Sequence, residues 1–141
     1  MMATTQGTTR RELPAPIGQL LGLTLTGQGP GRATVEFAAS ERYANPMGTR
    51  HGGVLCDSAD AARGAAYRST LSGGDTFTTL ELKSNFLRPG WRAKLRAEAR
   101  VVRAGKVVGL VECDIIDEQE RLVARASSTC MTLRGQRAAG R

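Results

Sequence analysis

The sequence predicts an α+β domain in which an antiparallel sheet curves around one long helix. Three observations lead there. The chain has 141 residues, the length of one domain. Residues 51–71, HGGVLCDSADAARGAAYRSTL, form the one long run rich in Ala and Leu and free of Pro. The segments on either side read as strands separated by turn residues. One helix cannot cover both faces of a sheet, so the sheet must curl around it or meet a second subunit.

Residues 1–12 are polar and Thr-rich and predict a disordered tail ahead of a single domain over 13–133, with a basic tail at 134–141. Residues 20–26 (LLGLTLT) and 32–38 (RATVEFA) read as two strands around the turn-rich GQGPG. A Gly/Asn/Pro segment from Tyr43 to Gly48 breaks the pattern, and the long helix follows, about five turns, stopping before Ser72–Gly73–Gly74–Asp75. Four strands come next. Residues 76–87 end at Arg88–Pro89–Gly90. Residues 92–101 alternate without a miss, with Arg92, Lys94, Arg96, Glu98 and Arg100 on one face and Ala93, Leu95, Ala97, Ala99 and Val101 on the other. A hairpin at Ala104–Gly105–Lys106 leads into residues 107–116, and Asp117–Glu118–Gln119–Glu120 turns into residues 122–133. Connections this short predict an antiparallel four-strand meander.

The charge is +7, and 17 of the 20 basic residues are arginine. Arginine suits bidentate recognition of phosphate and carboxylate. Nucleic acid is therefore the first partner to weigh, but the arginines lie singly along strands or in the tails, with no RNP-like, helix-turn-helix or zinc-finger signature. Solvated faces, or a few arginines gathered around an anionic small molecule, are the expectations instead. One histidine excludes a zinc site built on several imidazoles. Cys56, Cys113 and Cys130 are far apart and odd in number, which predicts buried thiols in a reducing, cytoplasmic setting. No apolar run approaches the length of about 20 residues that spans a bilayer.

The chemistry is concentrated in the run Asn45–Pro–Met–Gly48–Thr–Arg–His51–Gly52–Gly53, with Asp57 and Asp60 downstream in the helix. Two glycines at a helix start expose N–H groups that lack intrahelical acceptors and sit at the positive end of the dipole. Such groups can hold an anion or polarise a carbonyl; a tight turn that needs glycine accounts for them equally well. Asp57 is explained by the helix dipole alone. Cys56 has no second histidine to activate it and reads as a buried thiol.

From about Ala38 to Leu133 the chain resembles the hotdog-fold acyl-CoA thioesterases of the phenylacetate-pathway (PaaI) type. The family's Asn, Gly, His-Gly-Gly and an acidic residue nine positions after the His are matched by Asn45, Gly48, His51–Gly52–Gly53 and Asp60; a second block is matched by residues 79–89, TLELKSNFLRP. The resemblance implies a hotdog fold and hydrolysis of an acyl-CoA thioester with no cofactor or metal, coenzyme A entering only as part of the substrate. Gly52 would offer its N–H to the thioester carbonyl, with Gly53 beside it. Asp60 would be the nucleophile or the general base for water, Asn45 and His51 would orient the carbonyl and the loop, and Thr79 would help position water. Alternation places Thr79 with Phe77, Glu81 and Lys83, away from Leu80 and Leu82. Arg63 and Arg50 depart from the family pattern; either reshapes the acyl pocket or pairs with Asp60. Coenzyme A carries three phosphates, for which Arg88, Arg103 and Lys106 at strand ends are candidate contacts, edge protection being the plainer account of them.

Spacing adds a constraint of its own. Gly52 and Asp60 are eight residues apart on one helix, hence about 12 Å, whereas a reacting carbonyl must lie within about 3 Å of both donor and attacking group. If both act, they come from different chains, and a twofold dimer or a dimer of dimers is the expected assembly. The alternative to hydrolysis is a non-catalytic module that binds acyl-CoA as a sensor or sequestering protein. A hotdog dehydratase fits the position of the acidic residue less well.

Overall fold

A computed structural model of the protein describes residues 10–13, 15–91 and 93–141. Most of the expected tail, and Arg92 at the expected start of a strand, lie outside the described residues. In order, the elements are β1 (Arg11–Glu12), α1 (Pro16–Leu21), β2 (Thr24–Gly29), β3 (Arg32–Ala39), α2 (Gly52–Arg68), β4 (Thr76–Phe86), β5 (Ala93–Ala104), β6 (Val108–Asp117) and β7 (Leu122–Leu133). The seven strands form one antiparallel sheet in the order β1-β2-β3-β5-β6-β7-β4. Its concave face holds α2, as the single long helix requires.

Helix α2 begins where its sequence ceases to be turn-like. His51 is the N-cap and Gly52 the first helical residue, and the helix stops at Arg68, three residues short of the expected end. Leu55, Ala59, Ala62 and Ala66 recur at helical spacing and are buried. They meet Val35 and Phe37 of β3, Leu95 and Ala97 of β5, and Val111 and Ile115 of β6, all within the same core. Alanine on this stripe lets the helix approach the sheet closely. Tyr67, near the helix end, is 1% exposed and shares a 2.7 Å hydrogen bond with Thr132. Its ring lies across Gly109, where an added Cβ would stand 2.4 Å from Tyr67 Cε2 and 3.0 Å from the Arg103 carbonyl oxygen. Gly109→Ala is therefore expected to destabilise the fold by about 1–3 kcal/mol through overpacking, read as a lower urea midpoint at unchanged slope.

The outer face carries the charge. Arg96 donates to Glu98 and Glu120, Arg100 to Glu112, and Arg125 to both oxygens of Asp114. The Arg125 guanidinium holds the Asp114 carboxyl below its usual range, against the opposing effect of burial. Much of the arginine excess along β5–β7 is thus spent on cross-strand pairs. Cys113 and Cys130 are buried and Cys56 half-buried, all as free thiols; burial pushes the Cys113 thiol up to about 12.

Three expectations need correction. Residues 20–21 belong to α1, and β2 begins only at Thr24. Pro16 at the helix start and Gly22 in the left-handed region at its end (φ 69°) make a short helix of a segment whose Leu-Thr composition suggests a strand. Arg11 and Glu12, assigned to the tail, pair with Leu25 and Thr24. The meander has three strands, β5-β6-β7, not four: among the described residues β4 pairs only with β7, and β5 lies beside β3. Crossing from β4 to β5 takes three strand spacings, about 14 Å, and the six-residue link at 87–92 can span about 20 Å. A short link therefore did not require adjacency.

Candidate functional site

The loop before α2 is built by Asn45. Its Oδ1 accepts from the Met47 and Thr49 N–H groups at 2.9 and 3.1 Å, and its Nδ2 donates to Thr49 Oγ1 at 2.6 Å. The side chain closes the loop. His51 is tied down through its backbone N–H to the Tyr43 carbonyl at 2.7 Å. Its Nδ1 accepts from the Gly53 N–H at 3.1 Å. The cap has a consequence for the two glycines. The N–H of Gly53 is consumed, and among the described residues none accepts from the N–H of Gly52. One free donor remains at the positive end of the dipole, not two. The Phe86 ring lies beside Gly52: a Cβ there would stand 2.8 Å from Phe86 Cζ.

The acidic half of the site lies farther along the helix. The Asp60 side chain is 54% exposed and pairs with Nη2 of Arg63, whose own side chain is 5% exposed. Arg63 Nη1 donates to Cys130 Sγ at 3.2 Å, and its buried Nε has no partner among the described residues. One turn before Asp60, the Asp57 carboxyl is pushed up by burial and by the Asp60 charge. These three residues line a cavity of about 510 Å³ with Phe77 and Thr79 of β4 and Leu25 of β2.

Thr79 reaches this cavity through a register shift that alternation cannot reveal. Thr79 faces Cys130 and Glu81 faces Thr129, so Leu80 is the extra residue of a β-bulge. Before the bulge Phe77 and Thr79 face the helix; after it Leu82 joins the core and Ser84 Oγ accepts from Cys56 at 3.4 Å. The expected grouping of Thr79 with Glu81 and Lys83 is therefore corrected: Thr79 shares the helix side with Leu82.

The structure thus gathers Asn45, His51, Gly52 and Gly53 at the start of α2, and Asp60 and Thr79 at a separate cavity two turns on. It does not gather the candidate phosphate contacts within one chain. Arg88 lies in the link at the helix start, whereas Arg103 and Lys106 flank the β5–β6 hairpin, near the far end where Tyr67 meets Gly109. All three are exposed. Of the two unusual arginines, Arg63 is the one that pairs with Asp60. Arg50 lies instead against Gly90, its N–H bonded to the Gly90 carbonyl, and burial lowers its pKa against the attraction of Asp117. Arg11, Gln28 and Phe77, which also line the cavity, were not candidates from sequence; Arg11 and Gln28 carry no motif that marks them.

A curved antiparallel sheet around one long helix defines a hotdog-fold protein. The chain belongs to the thioesterase superfamily, whose profile matches residues 47–124. A Saccharolobus solfataricus protein designated an esterase is 34% identical over 104 residues, 74% of each chain. The medium/long-chain acyl-CoA thioesterase YigI of Escherichia coli is 29% identical, covering 82% of this chain and 84% of its own. Among solved structures, the E. coli PaaI protein of the phenylacetic acid degradation operon superposes with a TM-score of 0.81 at 27% identity, covering 86% of this chain and 87% of that one. Thioester hydrolysis is the reaction class this membership carries, with a small-molecule thioester as substrate. Among the described residues no helix is long and apolar enough to cross a membrane.

Proposed function

We propose that the protein is a cytoplasmic acyl-CoA thioesterase, cutting the thioester to a free acid and coenzyme A without a metal or cofactor, and that it works as a homodimer or dimer of dimers. The observation that carries this reading is the split site: an unpartnered Gly52 N–H and an Asp60–Thr79 cavity on one helix, about 12 Å apart. Two antiparallel copies of α2 bring the Gly52 of one chain to the Asp60 of the other. The carbonyl oxygen then meets the N–H as negative charge develops on it. Asp60 attacks the carbonyl carbon, or takes a proton from a water held by Thr79.

The sheet supplies support for the assembly. β4 is an eleven-residue edge strand, and it exposes Leu80 and Phe86, with Leu87 just beyond its end. An edge of that length and polarity is suited to pairing with a second copy. The name of the E. coli relative supports coenzyme A as the thiol.

The Asp60–Arg63 pair favours one second reading. A carboxylate engaged by a guanidinium must leave that pair before it can attack or accept a proton, which suits a module that binds acyl-CoA without turning it over. Thiol release measured across straight-chain and aryl acyl-CoAs, alongside sedimentation velocity, separates the two. Hydrolysis of at least one ester by a dimer or tetramer is the expected result; saturable binding with no thiol released across the set would establish the sensor instead.

A further inference from the structure

We propose that the acyl pocket is built for an acyl group that ends in a carboxylate, and that Arg63 is its receptor; the inference rests on the thioesterase reading of the same site. The starting point is the state of the Arg63 guanidinium. It is almost wholly buried, yet among the described residues its three nitrogens are unequally served: Nη2 has Asp60, Nη1 has the Cys130 sulfur, and Nε has no acceptor. Sulfur is a weak acceptor, and an unpaired buried donor is costly.

Nε and Nη2 form one edge of the guanidinium, the edge that takes a carboxylate with two parallel bonds. Arg125 shows the complete version in this same chain, with Nε at 2.6 Å and Nη2 at 2.9 Å from the two oxygens of Asp114. Arg63 presents the same edge half filled. When Asp60 turns toward the thioester, the edge is vacated, and a carboxylate on the acyl group can take both donors.

The charge around the cavity points the same way. Three arginines line it, Arg11, Arg63 and Arg68, against Asp57 and Asp60. Arg11 donates to Gln28 at 2.9 Å and Arg68 lies over the Phe77 ring at 5.6 Å, so neither is neutralised through those contacts. An anionic acyl terminus balances this excess, and the cavity's apolar walls, such as Leu25 and Phe77, suit the methylenes before it. Because Arg63 touches Asp60, and Asp60 must lie within about 3 Å of the reacting carbonyl, about two to four methylenes separate the two ends.

The test compares succinyl-, glutaryl- and adipyl-CoA with butyryl-, pentanoyl- and hexanoyl-CoA. The wild-type protein is expected to favour the best carboxylated ester over its length-matched partner by about 10- to 100-fold in kcat/KM. Arg63→Met is expected to abolish that preference, and Arg63→Lys to keep part of it, carrying the charge without the two-donor edge. Equal kcat/KM for the two series in the wild type, or an undiminished preference in Arg63→Met, would overturn the proposal. If Arg63→Met does not fold, the wild-type ratio and the lysine variant decide. If no ester is cleaved at all, the thioesterase reading fails separately. Calorimetry with the thioether analogues 4-carboxybutyl-CoA and pentyl-CoA then judges the subsite alone: tighter binding of the first supports it, and equal binding overturns it.

Discussion

Replacing Asp60 by asparagine is expected to lower kcat by about 10²- to 10⁴-fold, the range associated with loss of a positioned base, while the assembly persists. Asn fills the same volume and keeps an oxygen that Arg63 Nη2 can reach, so the helix and the cavity wall stay as they are. What disappears is the negative charge and, with it, both the nucleophile and the proton acceptor. The carboxylate is more than half exposed, but Arg63 is almost wholly buried and loses its anionic partner, so a lower melting temperature is expected with the fold intact. Stopped thiol release at saturating ester, with sedimentation and a melting curve on the same sample, checks all three consequences. Turnover within a few-fold of wild type would remove Asp60 from the mechanism.

Legibility in the sequence varied with how local the determining interaction is. Helix α2 and strand β7 were readable because their burial follows a local pattern: the alanine stripe 55-59-62-66, and a run bounded by an acidic turn. The outward charges of β5 were readable for the same reason. Three features depend on contacts distant in sequence and were not. Helix α1 exists because Pro16 and Gly22 punctuate six residues of unremarkable propensity. The place of β4 beside β7 depends on how far a six-residue link can reach around a curved sheet. The bulge at Leu80 leaves no mark in the alternation, yet it decides that Thr79 shares a cavity with Asp60. In the candidate site, the motif spacing singled out Asn45, His51, Gly52 and Asp60, but the sequence could not show that His51 accepts from the Gly53 N–H and leaves that of Gly52 without an acceptor among the described residues.

That last point supports a sharper experiment. Gly52 is the first helical residue, a position that accepts proline because its N–H has no helical partner. His51 before it has φ −70° and ψ 128°, the extended backbone that a following proline requires. Gly52→Pro therefore deletes the proposed carbonyl donor while leaving the helix free to form. Gly52→Ala introduces the same Cβ against the Phe86 ring but keeps the N–H. The proline variant is expected to fall about 10²- to 10³-fold in kcat below the alanine variant, the cost of one oxyanion donor. Mixing then tests the split site directly. Gly52→Pro and Asp60→Asn are each defective alone, but random reassociation of equal amounts makes half of the dimers mixed. Each mixed dimer contains one site with both lesions and one with neither, so activity is expected to recover to about a quarter of the wild-type value. Sites completed within a single chain would leave the mixture as inactive as its components.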